Sequence, residues 1–261
     1  MTIKGVLNMI TIKSEHEIEL MRQAGLMVSK THKYLKQYLK PGITTKKLDK
    51  LAEDYIRSMG GVPTCKGYEG FPATLCTSIN DEVVHGIPSN RKLKNGDIIT
   101  IDMVIGYHGY QGDAAWTYAI GDISEDKKNL MKYTKEALYE GVKEVKPGAR
   151  IGDISNAVEK YATKHNLGIV KELVGHGIGT EMHEDPDVPN YGRPNTGPKL
   201  KEGMVICIEP MLNLGTADIY MEDDDWTIKT MDGKPAAHYE HTVLVTKDGY
   251  EILTPRLDEN E

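Results

Sequence analysis

Apolar residues at Ile18, Met21, Gly25, Val28, Leu35 and Leu39 recur at helical intervals behind a Ser14/Glu17 pair with capping-box spacing. This predicts a first helix that stops at Pro41-Gly42. A second helix carries Leu48, Leu51, Ala52, Tyr55, Ile56 and Met59 on one side and ends at Gly60-Gly61. The period then shortens. Residues 71–79 and 97–105 read as strands, residues 106–109 as a hairpin turn, and 110–120 as the return strand. Beyond Ser124 a long helix carries Leu130, Tyr133, Ala137, Leu138, Gly141, Val142 and Val145, and stops at Lys146-Pro147-Gly148. A further helix follows over Ile154, Ala157, Val158, Tyr161 and Ala162, then strands near 168–174, 203–209 and 238–246. Residues 215–237 read as an inserted ribbon or loop. Helices followed by hairpins, without strict βαβ alternation, indicate an α+β fold.

The two halves share more than a plan. L-K-N-G-D-I-I-T-I-D (Leu93 to Asp102) and L-K-E-G-M-V-I-C-I-E (Leu200 to Glu209) are identical at five positions, and each ends in an acid. Lys40-Pro41-Gly42 recurs as Lys146-Pro147-Gly148, followed in each copy by Glu53/Glu159 and Tyr55/Tyr161. An internal duplication is expected, with units at about 14–120 and 124–250 in a core of about 10–254. Chance recurrence of a turn-plus-strand pattern is the alternative. No Pro/Gly/Ser-rich linker separates the units, so residues 1–261 are expected to form one domain.

Composition is ordinary for a globular protein, with 39% hydrophobic and 27% charged residues. The net charge of -7 argues against nucleic acid or an anionic membrane as a direct partner. Three cysteines, Cys65, Cys76 and Cys207, form no Cys-x-x-Cys pair and point to a reducing compartment. No signal-peptide core is visible, and no run approaches the roughly 18 apolar residues of a membrane span. A cytoplasmic protein is expected. Met9 is an alternative start site.

The candidate chemistry lies in the acids. A turn centred between Tyr107 and His108 sets Asp102 directly opposite Asp113, and like charges there destabilise a hairpin. In a buried strand such a pair needs a cation between its members. A divalent metal is one candidate and a basic side chain another; an exposed hairpin with its acids in water is the alternative to both. Glu209 is the duplicate of Asp102, and Glu240 takes the place in its strand that Asp113 takes in the first half. Alone, either could be an ordinary strand-end or surface acid. His176 sits in Val174-Gly175-His176-Gly177-Ile178-Gly179, where small neighbours let the backbone approach a ligand. Four acids with one imidazole suit two divalent ions such as Mn, Fe, Co or Zn. Two ions about 3.5–4 Å apart can hold a bridging water, lower its pKa and polarise a carbonyl, which is amide-hydrolysis chemistry.

At these residues the chain resembles the type I methionine aminopeptidases of the pita-bread fold, from about Ile10 to Thr254. The shared motifs are Ser78 to Pro88 (S-I-N-D-E-V-V-H-G-I-P), Ile101 to Met103, Gln111 to Asp113, Gly175 to Gly179, Met182 to Pro186, Ile208 to Pro210 and Tyr239 to Thr242. The resemblance implies removal of the initiator methionine from nascent polypeptides whose second residue is small, by attack of a metal-bridging hydroxide. It implies that Asp102 binds one ion, that His176 and Glu209 bind the other, and that Asp113 and Glu240 bridge them. Glu209 would also shuttle the proton of the water. His85 would sit near the substrate amine and scissile amide, and His183 would donate to the scissile carbonyl region. Cys65, Tyr68, Phe71, Cys76, Met182 and Trp226 would line the methionine pocket, together with both histidines. Phe71 and Met182 depart from the tyrosine and the aromatic residue common among relatives, which implies an altered pocket rim. The expected partner is the N-terminal peptide of a nascent protein near the ribosome, and the expected state a monomer. An Xaa-Pro peptidase of the same fold and a non-catalytic pita-bread protein are the rival readings. The first usually carries a further N-terminal domain, and the second typically loses ligands.

Overall fold

The computed structural model describes residues 10–257; the alternative start at Met9 lies outside them. Helix α1 (Glu15–Lys36) opens with the expected capping box. Ser14 Oγ accepts from the Glu17 N–H, and the Glu17 carboxylate accepts from the Ser14 N–H. Met21, Ala24, Val28 and Leu35 form its buried stripe, whereas Leu39 falls in the turn beyond it. Helix α2 (Thr45–Ser58) buries Leu48, Ala52 and Ile56.

Five strands complete the first half: β1 (Val62–Pro63), β2 (Cys76–Ile79), β3 (Glu82–Val84), β4 (Ile98–Tyr107) and β5 (Tyr110–Ala119). β4 is central, pairing with β1 and β2 along one edge and with β5 along the other. The strand expected over 71–79 is confined to β2. The Thr74 and Leu75 N–H groups instead donate to Asp49 Oδ1 on α2, at 2.8 and 2.9 Å. α1 lies directly on β5: a Cβ on Gly112 would come within 2.6 Å of the Gly25 nitrogen.

In the second half Ser124 caps α3 (Glu125–Lys143), and α4 (Ile151–Lys164) follows. The strands are β6 (Gly168–Ile169), β7 (Gly175–Gly177), β8 (Glu184–Val188), β9 (Val205–Ile208), β10 (Met211–Asn213), β11 (Ile219–Met221), β12 (Ile228–Thr230), β13 (Ala236–His238), β14 (His241–Val245) and β15 (Tyr250–Ile252). A five-stranded sheet runs β15-β14-β9-β7-β8, and a three-stranded one β13-β10-β6. The 215–237 segment is a ribbon, β11–β12, that pairs with β3 of the first half.

The backbone repeats itself at the two Lys-Pro-Gly turns. The Gly42 N–H donates to the Leu93 carbonyl at 2.8 Å, and the Gly148 N–H to the Leu200 carbonyl at 3.0 Å. The largest apolar core runs through both halves, from Val28 and Ile56 to Val158 and Ile206. Among the described residues no helix is long and apolar enough to cross a membrane.

Candidate metal centre

The β4–β5 hairpin corrects one expectation. Asp102 lies opposite Ala115, and Asp113 opposite Val104, so the turn centres on His108-Gly109. A two-residue turn that follows the strand twist needs positive φ at both central positions, and His108 (48°) and Gly109 (85°) supply it. Only glycine takes that conformation without steric cost, which anchors the turn one residue later than expected. The register change is even, so both acids keep one face, as diagonal neighbours. Asp102 also stands in the middle of β4 and not at its end. The Asp102 charge still bears on Asp113, and two buried carboxylates so placed need a proton or a cation between them.

Direct opposition occurs in the second half instead. His241 pairs with Ile208 on one side of a break, and His238 with Met211 on the other, in one continuous register. That register sets Glu209 opposite Glu240. Neither acid lies within a strand: Glu209 interrupts β9–β10, and Glu240 interrupts β13–β14. The break leaves the Glu240 N–H free to donate to the Ala115 carbonyl of β5, at 2.9 Å. Thr242 ties the halves further, accepting from the Asp113 N–H at 3.0 Å and donating to the Asp113 carbonyl at 2.8 Å.

His176 sits on β7, between glycines that serve strand packing. A Cβ on Gly175 would meet the Cys207 carbonyl oxygen at 2.3 Å, and one on Gly177 the Asp185 carbonyl oxygen at 2.2 Å. His176 Nδ1 lies 2.9 Å from the Gly177 carbonyl, which can only accept, so Nδ1 carries the proton. The Nε2 lone pair then faces Glu209 Oε1 at 3.4 Å and Asp113 Oδ2 at 3.8 Å. Acceptors facing one another in this way call for a cation.

The electrostatics agree. Burial and the neighbouring carboxylates push Asp113, Glu209 and Glu240 well above the usual carboxylate range. Burial raises Asp102 as well, against a pull from His238. Burial and the adjacent His183 lower His176 to about 4, so its ring is neutral at physiological pH. Asp113 Oδ1 and Glu240 Oε1 are buried without a hydrogen-bond partner. Each orphaned acceptor costs about 1–3 kcal/mol unless something binds it. A divalent cation fits these donors: oxygen-rich, with one neutral imidazole presenting its lone pair.

Every residue singled out from the sequence lines one cavity of about 330 Å³. Beside the acids, Cys65, Phe71, Cys76, Val104 and Met182 form a buried apolar wall, against which Tyr68 and Trp226 pack. The 215–237 ribbon supplies Trp226, whose ring meets Phe71 edge-on at 5.1 Å. Tyr68 OH lies 2.9 Å from His183 Nδ1, and the His183 ring packs edge-on to His176 at 4.5 Å. His85 has φ 59°, a left-handed backbone that aims its ring at the cavity. Burial lowers it to about 4, helped by His238 and His183.

Sequence reasoning missed His238 and Cys207. His238 is buried, with Nε2 3.5 Å from Glu209 Oε2 and no hydrogen-bond partner on either ring nitrogen. Its only sequence signal is its place two residues before Glu240. Donor atoms of Glu209, His238 and Glu240 lie within 4.8 Å of one another, as do those of Asp113, His176, Cys207 and Glu240. The cavity also takes in Val84, Leu173 and Met211, which carry no distinguishing pattern.

Comparison with known proteins agrees with this geometry. The family model for metallopeptidase family M24 matches residues 19–247. A methionine aminopeptidase of Clostridium acetobutylicum is 54% identical over 247 residues, covering 94% of this chain and 99% of the relative. Methionine aminopeptidase 1 of Bacillus subtilis is 50% identical over 246 residues, covering 94% and 99%. The crystal structure of methionine aminopeptidase from Rickettsia prowazekii superposes with a TM-score of 0.93 at 43% identity, covering 95% of this chain and all of the other. The α+β architecture is the pita-bread fold of these enzymes.

Proposed function

Because this chain belongs to metallopeptidase family M24, among its methionine aminopeptidases, we propose that it removes the N-terminal methionine of polypeptides whose second residue is small. The observation that carries the proposal is the convergence of Asp102, Asp113, His176, Glu209 and Glu240 beside a soft apolar wall in one cavity. Asp102, Asp113, His176, Glu209 and Glu240 would hold the divalent ions, with Asp102 on the first-half side and His176 and Glu209 on the second-half side of the site. Mn, Fe, Co and Zn all suit this donor set. When bound, such ions lower the pKa of a water and polarise an amide carbonyl.

The chain's own residues do the rest. The methionine side chain enters between Cys65, Phe71, Cys76, Met182 and Trp226, where a polarisable thioether meets sulfur and aromatic rings. Phe71 and Met182 shape that rim. Tyr68 donates to His183 Nδ1, which leaves the Nε2–H to donate to the carbonyl oxygen as negative charge develops there. His85, neutral at physiological pH, lies where the substrate amine and scissile amide pass. Glu209 accepts the proton of the attacking water and returns it to the leaving amine. A bulky second residue would press on the carboxylates, which restricts that position to small side chains.

The chain acts as one catalytic domain whose halves, about 14–120 and 124–250, derive from one repeated unit. It works as a cytoplasmic monomer on nascent chains near the ribosome, without direct nucleic-acid or membrane partners. Asp113→Asn and Glu209→Gln each remove a ligand charge at nearly constant volume. Both should lower the number of ions bound, read by elemental analysis after dialysis, and abolish turnover. Undiminished turnover and metal content in both variants would refute the assignment.

A further inference from the structure

Cys207 has no part in the proposed hydrolysis, yet its sulfur lies beside the donor atoms of the metal centre. It pairs with Thr242 across β9–β14, and the β7–β9 register, in which Gly177 faces Ile206, sets His176 on its other side. Glu209 lies two residues further along, where strand alternation returns side chains to one face. In the other direction Cys207 packs against Val205, Ile178 and Leu244. The thiol thus marks the boundary between carboxylates and core, and it is fully buried.

Its Sγ, a ring nitrogen of His176 and carboxylate oxygens of Asp113 and Glu240 all lie within 4.8 Å of one another. The thiol sulfur also lies 3.6 Å from the Thr242 hydroxyl across the strand pair. A second, independent feature points to a ligand: Asp113 Oδ1 and Glu240 Oε1, on side chains 4% and 2% exposed, have no hydrogen-bond partner.

We propose that Cys207 makes this centre a trap for one soft, thiophilic divalent cation of the cadmium(II) type, held by Cys207, His176, Asp113 and Glu240, which displaces the ions that support hydrolysis. The inference rests on the reading of this cluster as a metal site. One thiolate, one imidazole and two carboxylates give four donors, the number that closed-shell soft ions favour in proteins. On binding, the S–H bond breaks, a metal–sulfur bond forms and the proton leaves to solvent; no electron is transferred. A harder ion such as manganese(II) prefers the oxygens to the thiol, so one cluster supports two ligand sets.

The test titrates cadmium(II) into the metal-free full chain and follows sulfur-to-metal charge-transfer absorbance in the ultraviolet. One equivalent should develop the band in the wild type and in a C65S/C76S variant, and none should develop in C207S. Cadmium NMR of the wild type needs no variant to fold: its resonance should fall downfield of the all-oxygen and nitrogen range. The cadmium concentration that halves manganese-supported turnover should rise about 10–100-fold in C207S. A wild-type resonance within the oxygen and nitrogen range, or a band retained in C207S, overturns the inference. If manganese supports methionine release but cadmium shows no sulfur ligand, this inference alone fails. If the sulfur signature is present but no divalent ion supports release, the trap stands and the aminopeptidase reading fails.

Discussion

Replacing Gly177 with alanine tests whether the position of His176 depends on close strand packing. A Cβ there would lie 2.2 Å from the Asp185 carbonyl oxygen, 2.6 Å from its carbon and 3.0 Å from the Glu184 oxygen. All three are backbone atoms of β8, so no side-chain rotation relieves the clash. Ordinary contact begins at 3.4 Å, and β7 and β8 must therefore part by about 1.2 Å. Paired strands sit about 4.7–4.9 Å apart, and that opening breaks the hydrogen bond beside the substitution. The lost bond costs about 1 kcal/mol and the overpacking about 1–3 kcal/mol, giving roughly 2–4 kcal/mol in all. For a chain of this length that lowers the thermal midpoint by roughly 5–15 °C. Circular dichroism of the metal-free protein during thermal and urea unfolding reads the change. Gly249→Ala, where an added Cβ meets nothing within 4 Å, is the control and should stay within about 0.5 kcal/mol. His176 lies between the two tight glycines, so Gly177→Ala should also weaken metal binding. A Gly177→Ala protein as stable as the control would refute the reasoning.

His183→Ala should lower kcat by about 100–1000-fold with little change in KM, because its hydrogen bond strengthens as charge develops on the carbonyl oxygen; an unchanged kcat would remove it from the mechanism. Trp226→Ala removes one wall of the methionine pocket and should raise KM about 10-fold, equivalent to 1.4 kcal/mol of lost apolar contact. Metal content should not change, and a KM within twofold of wild type would show that the ribbon does not line the substrate. Glu17 is held at about 2, below its ordinary 4.5, chiefly by the Tyr110 hydroxyl and then by Ser14. The folded value is the lower one, so its stabilisation is complete above about pH 4.5 and lost as pH falls towards 2. Glu17→Gln should therefore flatten the acid limb of the stability–pH curve, and an unaltered limb would contradict the assignment.

The acids were legible in the sequence because a repeat marked them: Asp102 and Glu209 end matched apolar runs. How they meet was not. The register of β4–β5 turns on which residue takes positive φ, and alternation alone does not choose between Tyr107-His108 and His108-Gly109. The breaks that free Glu209 and Glu240 arise where β9 and β14 pass into β10 and β13, a tertiary event without a periodicity signal. The apolar wall was recognisable only through family motifs, since Cys65, Phe71 and Met182 look like ordinary core. His238 and Cys207 escaped for a related reason. One reads as part of a short strand and the other as a core cysteine, until strand pairing brings both to the carboxylates.

The central claim is metal-dependent removal of an N-terminal methionine, and release of free methionine from Met-Ala-Ser tests it most directly. The assay adds Mn, Co or Fe to metal-free protein, with chelator, Met-Pro and Leu-Ala-Ser in parallel. The account predicts cleavage of Met-Ala-Ser alone, abolished by chelator and restored by divalent ions. Preferential cleavage of Met-Pro, or no turnover with any metal, would contradict it.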